Sequence, residues 1–186
     1  MTRPQIHYNR TMKRMMKRVM FASFLLTLLI AACKKETKSD SSVDEAALNA
    51  NKKTAVAVVH ASAVGLGQLL ITMPDSSAKV MSIRTYIDSI RFYEDKSGYF
   101  YVYNYQCINI AHATQKDLLL KDLYNYQDSR GKYVIRELSA AASRGGGFVE
   151  YYWIKPGETG EKLKIGYVEP IPGTNFFIGT GVYVPE

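Results

Sequence analysis

The 186-residue chain reads as an α+β fold: helices first, then an antiparallel sheet of about five strands with a helical insert. Apolar residues recur at three- and four-residue spacings from Ala46 to Leu70, and the pattern turns β-like after Gly98. Pro156-Gly157 and Pro172-Gly173 then cut the C-terminal part into strand-length pieces. The composition, 47% hydrophobic with 14 tyrosines, is that of one globular domain.

The first helix carries Ala47, Leu48, Ala55, Val58, Val59, Val64, Leu66, Leu69 and Leu70, interrupted by Gly65 and Gly67. Met73-Pro74-Asp75-Ser76-Ser77 is a stop, because Pro74 pushes Met73 out of the helical region. Asp75 or Ser76 can then cap a second helix, Ala78 to Ile90, with Val80, Ile83, Ile87 and Ile90 on one side. After the turn Asp95-Lys96-Ser97-Gly98, Tyr99 to Tyr103 is a dense run of β-formers. Ile108 to Ala113 is a second strand, with Asn104 to Cys107 as the turn between them. Leu118 to Asp128 is expected as a loop with a helical turn, and Tyr133 to Ser143 as a short helix. Three strands follow: Phe148 to Ile154, Lys162 to Ile171, and Phe176 to Val184.

The formal charge of +7 suggests a nucleic-acid or membrane binder until the charges are located. Six of the 24 basic residues (Arg3, Arg10, Lys13, Arg14, Lys17, Arg18) fall in residues 1–32, which hold no acidic one. The remainder has 18 basic against 17 acidic residues. An electrostatic footprint for nucleic acid is therefore excluded.

That basic segment leads into the apolar run Val19 to Ile30 and then Ile30-Ala31-Ala32-Cys33. The run is too short for a bilayer core, which takes about 20 residues, and suits the h-region of a signal peptide. Small residues ahead of a cysteine resemble the bacterial lipobox. The resemblance implies lipid transfer to Cys33, cleavage before it, and N-acylation; two or more acyl chains anchor stably. Residues 1–32 are thus expected as a lipoprotein signal peptide, 33–45 as a flexible polar tether, and 46–186 as the folded domain. Lys34, not Asp, follows Cys33, which leans towards the outer membrane facing the periplasm. No second segment long and apolar enough to re-enter a membrane is read. Cys107 is then a lone thiol in a strand, most simply a small buried hydrophobe, and no disulfide is expected.

Ile90-Arg91-Phe92-Tyr93, Gly98-Tyr99-Phe100-Tyr101-Val102-Tyr103 and Ile110-Ala111-His112 resemble the single Cache domain of the second type. Further blocks agree in order. They are Glu137-Leu138 with Ala140-Ala141, Gly145-Gly146-Gly147-Phe148-Val149, and Tyr151-Tyr152-Trp153-Ile154-Lys155-Pro156-Gly157. Gly166-Tyr167-Val168, Pro172-Gly173 and Ile178-Gly179-Thr180-Gly181-Val182-Tyr183 complete the set, over roughly residues 50–184. The resemblance implies a long N-terminal helix on a five- to six-stranded PAS-like antiparallel sheet. It also implies extracytoplasmic capture of a small ligand, commonly acetate, propionate, pyruvate or lactate. Such domains usually precede a transmembrane helix and a chemotaxis, kinase or cyclase module; this chain, ending at Glu186, is expected to relay through a separate envelope protein. It departs from the family at Ala113, where relatives commonly carry Pro, and in the turn Asn104-Tyr105-Gln106-Cys107-Ile108.

A small carboxylate needs a fixed cation, neutral donors and an apolar wall. Arg91 is the expected carboxylate clamp, Tyr101 and His112 the donors, and Lys155 a second cation. Tyr99, Tyr101 and Tyr103 share one strand face, and Tyr151 and Trp153 share another, as donors or wall. Arg91 as an exposed helix-end residue, His112 as a structural histidine and Lys155 as a solvated lysine are the competing roles. Gly145-Gly146-Gly147 lacks the Lys-Ser/Thr of a phosphate loop. His7, His60 and His112 form no Cys-His cluster, and there is no nucleophile-elbow pattern, so neither a metal, a cofactor nor an enzyme activity is expected. The competing function is a structural or adaptor lipoprotein, marked by a pocket filled with its own tyrosines and Arg91 facing solvent. Whether two copies pair as a homodimer through the long helix is open.

Overall fold

A computed structural model describes residues 44–185. The signal peptide, Cys33 and nearly all of the tether lie outside the described residues. Helix α1 is Asp44–Ile71, so it already includes the last two residues read as tether. By length and composition it is apolar enough to cross a membrane, which the sequence reading had not recognised. Packing explains that apolarity: Ala55, Val59, Ala63, Leu66 and Leu70 are all buried in the core. Each buried Val or Leu contributes about 1.5–3 kcal/mol to folding. Gly67 allows the helix close to the turn at Pro172-Gly173, since a Cβ there would meet Pro172 at 3.0 Å.

Helix α2 is Ser76–Asp88. Asp75 caps it, its carboxylate accepting from the N–H groups of Ser77 and Ala78 at 3.2 and 3.0 Å. Arg84 Nε donates to the Ile110 carbonyl at 2.9 Å and ties α2 to the sheet edge. Strand β1 is Tyr101–Asn104 and β2 is Asn109–His112. The connection, residues 105–108, lies one residue later than expected, and Asn104 Oδ1 accepts from both Gln106 N–H and Ile108 N–H and holds the chain in a turn. Cys107 sits in that turn with φ 65°, not in a strand, and is buried as expected.

A short 3-10 helix, Lys116–Leu118, and an irregular segment lead to α3, Val134–Ser143. Strands β3 (Gly147–Ile154), β4 (Glu161–Pro170) and β5 (Phe176–Tyr183) complete a five-stranded antiparallel sheet of order β2-β1-β5-β4-β3. The expected α+β class and strand number hold.

Register decides which side chains meet. Tyr151, Lys164 and Tyr183 lie directly opposite one another across β3, β4 and β5. Val168, Gly179, Tyr101 and His112 form a parallel row across β4, β5, β1 and β2. Partners directly opposite share a face, so both rows project to one side. Helix α3 covers that side, and its Val134, Ile135 and Leu138 are fully buried there. Helix α1 lies on the other side, where His60 meets Glu169 and Lys52 sits over the Phe148 ring.

Candidate functional site

Between the sheet and α3 lies a narrow cavity of about 10 Å³, lined by Tyr99, Tyr101, Tyr103, His112, Tyr151, Trp153, Val134, Ile135 and Leu138. That is room for a single water. Six expected site residues therefore converge: Tyr99, Tyr101, Tyr103, His112, Tyr151 and Trp153. All six are buried.

The two expected cations do not reach it. Arg91 is exposed at the end of α2, and backbone carbonyls capture its guanidinium: Nη1 donates to Asp88 and Ile90, Nη2 to Ala113. Lys155 lies beyond the end of β3, paired with Asp95 and Glu158 at 3.1 Å each. It lines a separate, wider groove of about 550 Å³ with Tyr93 and Asp95. Its pKa is raised by Glu158 and then Asp95, as expected of a paired surface lysine.

The cation at the tyrosine cluster is Lys164, which the sequence reading missed. It is 0% exposed. Its Nζ donates to Tyr99 Oη at 2.8 Å and sits 4.0 Å from the Tyr99 ring centre, 4.8 Å from Tyr183 and 5.6 Å from Tyr101. It is not among the residues that line the cavity; its hydrogen-bond partner Tyr99 is. Among the described residues no carboxylate lies within ion-pairing distance of it. Burial pushes its pKa well below that of a solvated lysine. In the sequence Lys162 and Lys164 alternate with Leu163 and Ile165, as on a solvated strand face. The available signal was that Gly166 and Val168, two and four residues on, point the same way as Lys164 and belong to a motif of the core.

The hydroxyls form two chains that end on backbone carbonyls. Tyr151 Oη donates to Tyr101 Oη at 3.3 Å, and Tyr101 Oη donates to Thr180 O at 3.2 Å. Tyr99 Oη, accepting from Lys164, lies 3.3 Å from Tyr183 Oη, which donates to Ile154 O at 2.7 Å. Burial raises the Tyr99 pKa to about 12 and pushes Tyr101 and Tyr151 higher still, so all stay protonated donors.

His112 is a neutral donor by construction. Its Nδ1 accepts from Gln115 N–H at 3.0 Å and Thr114 N–H at 3.4 Å, which leaves the ring proton on Nε2. Burial, then the charges of Lys164, Lys116 and Arg91, push its pKa down to about 3. Gln115 also accepts from Trp153 Nε1 at 2.7 Å, so one residue orients both rings. The depressed pKa has a stability consequence. The unfolded chain takes up a proton at His112 below about pH 6.5 while the folded chain does not until about pH 3. Folding stability is therefore full above that window and falls as pH drops through it. Denaturation midpoints between those limits should decline less steeply in His112→Asn, whose Oδ1 can take the Gln115 N–H. Equal slopes in both proteins would remove His112 from the balance.

A tyrosine-walled cavity between a helix and a PAS-like antiparallel sheet is the layout of a sensor domain. A family model described as a Cache domain matches residues 9–186, and the chain belongs to this family. Cache domains are extracytoplasmic sensors. A solved methyl-accepting chemotaxis protein of Vibrio parahaemolyticus is 30% identical, with a TM-score of 0.67 over 76% of this chain and 93% of that one. A structure described as the periplasmic sensor domain of a chemotaxis protein is 28% identical, TM-score 0.66, over 74% and 98%. A third, described as a Cache chemosensory domain recognising carboxylic acids, is 28% identical, TM-score 0.65, over 76% and 98%. The sensor histidine kinase MctS of Rhizobium johnstonii is 32% identical over 112 residues, 60% of this chain. The chain spans 24% of that kinase's length. These relatives match as sensor domains, not as catalytic ones.

Proposed function

We propose that this chain is a lipid-anchored extracytoplasmic sensor that captures a short monocarboxylate of the acetate, propionate, pyruvate or lactate class. The observation that carries the proposal is Lys164, a fully buried lysine whose hydrogen-bond partner is a neutral tyrosine. A buried lysine without a counter-ion is costly whether it holds its charge or gives up its proton, and an incoming carboxylate offsets that cost. Tyr101, Tyr151 and His112 are the neutral donors, and Ile135 and Leu138 the wall for a short apolar tail. Lys164, bonded to the Tyr99 hydroxyl, supplies the positive charge first expected of Arg91. A second carboxylate on the ligand would face that apolar wall, which favours one acid group over two. The carboxylic-acid description of one solved relative supports the ligand class.

Lipid on Cys33 would hold the domain at the membrane, with the outer membrane favoured by Lys34. An anchor of this kind does not carry a signal across the bilayer, so capture is relayed through another envelope protein. The structural or adaptor alternative also has an observation in its favour: the cavity admits about one water, and Arg91 faces solvent. The buried lysine, without a counter-ion among the described residues, weighs against it, because an adaptor gains nothing from that cost. A thermal-shift screen of two- to four-carbon acids decides. A ligand at 100 times its Kd should stabilise the chain by about 2.7 kcal/mol. A flat response to every acid, amine and amino acid would leave the adaptor.

A further inference from the structure

We infer that the site takes up its carboxylate together with one proton from solvent, and that the proton rests on Lys164 in the complex. The inference rests on the carboxylate-binding reading above and concerns how pH regulates that site.

Every element packed against Lys164 presents it with neutral or positive groups. The segment leading into β1 supplies Tyr99, and β1 itself Tyr101. Strand β2 supplies His112, held neutral by the Gln115 N–H on Nδ1. Strand β3 supplies its cross-strand partner Tyr151, and β5 supplies Tyr183. Helix α3 supplies Val134, Ile135 and Leu138 over the cavity. Further out, Arg91 and Lys116 add positive charge on the His112 side, and Glu158 acts on Tyr183. With no counter-ion in this shell, burial favours the neutral amine, and fully buried lysines lose their proton far more readily than solvated ones.

A carboxylate arriving in the cavity reverses that preference, because an anion a few ångströms away favours the ammonium form in a poorly polarisable site. The balance is simple. A buffer acid in solvent gives up a proton, a new N–H bond forms at Nζ, and no bond of the ligand breaks. The empty site holds a neutral amine, and the filled site holds an ammonium–carboxylate pair of the same net charge. His112 is not the acceptor, since its Nδ1 is already occupied and its Nε2 already protonated. Linkage sets the consequence. Where Lys164 is neutral when empty and charged when filled, affinity falls about tenfold per unit rise in pH.

Calorimetry of the full chain in detergent with propionate tests this, at about pH 8, in phosphate and in Tris, whose ionisation heats differ. The expected result is a binding heat that differs between the buffers by close to one proton taken up per propionate bound. Binding with the same heat in both buffers overturns the proton uptake and leaves the carboxylate site standing. No binding in either buffer, or to any other monocarboxylate, overturns both. Lys164→Arg keeps its charge at any working pH. Binding by that variant without a buffer difference supports Lys164 as the acceptor, and a persisting uptake places the proton elsewhere. If the larger side chain prevents folding, the two-buffer comparison on the unmodified chain decides alone.

Discussion

Lys164→Met is expected to abolish the thermal response to propionate and, in the empty protein, to raise the melting temperature. The two effects have one cause. Lys164 is 0% exposed and has no carboxylate in ion-pairing reach among the described residues. A buried lysine without a counter-ion costs stability through desolvation of its charge or loss of its proton, and a methionine of similar length carries neither cost. Tyr99 Oη loses a donor but keeps its contact with Tyr183 Oη at 3.3 Å. For a domain of this size each kcal/mol shifts the melting temperature by about 3 °C. Gain of stability with loss of binding is the pattern of a functional site kept at a structural cost. Arg91→Ala is the companion measurement. It releases the backbone carbonyls of Asp88, Ile90 and Ala113 and is expected to cost stability while sparing the ligand response. The reverse outcome, response lost in Arg91→Ala and kept in Lys164→Met, would restore Arg91 as the clamp.

Gly179→Ala is expected to cost about 1–3 kcal/mol through overpacking and to weaken binding with it. A Cβ at Gly179 would lie 2.6 Å from Tyr101 Cε2 and 2.6 Å from Val168 Cγ1. Neither neighbour can withdraw. Tyr101 is wedged under α3 with its hydroxyl on Thr180 O, and Val168 is fully buried in β4. Relief therefore comes from turning the Tyr101 ring, which breaks the Tyr151–Tyr101 hydroxyl chain. Gly65→Ala is the control, because a Cβ there meets nothing within 4 Å on the exposed side of α1. It should be neutral or stabilising by up to about 1 kcal/mol, since alanine suits a helix better. Denaturant midpoints of the two variants give the comparison. A Gly179→Ala protein as stable as Gly65→Ala would mean the sheet floor is looser than its packing indicates.

The elements were legible because their causes are local. Pro74 and Asp75 end one helix and start the next through a φ restriction and a cap. The alternation of Tyr99, Tyr101 and Tyr103 follows from the pleat, and it placed three tyrosines on one side before any partner was known. The same rule placed Tyr151 and Trp153 together. The apolar face of α1 marked a helix, yet its length and composition alone do not separate a core helix from a membrane span. Only the burial of Val59, Leu66 and Leu70 does so.

Charge assignment was not legible, for a physical reason. Whether a cation is solvated, paired or buried depends on groups distant in the chain. Arg91 looked like a clamp beside a strand of tyrosines, but the carbonyls of Asp88, Ile90 and Ala113 converge on it once α2 meets β2. Lys155 shares the face of Trp153 in register, yet Asp95 and Glu158 meet it at the sheet end. Nothing local singles out Lys164, and it stands at the tyrosine site only because Tyr151 and Tyr183 flank it across two strand pairings. Local propensity and period thus set the order of elements and which tyrosines point together. Antiparallel register and long-range hydrogen bonding chose which positive charge stands behind them.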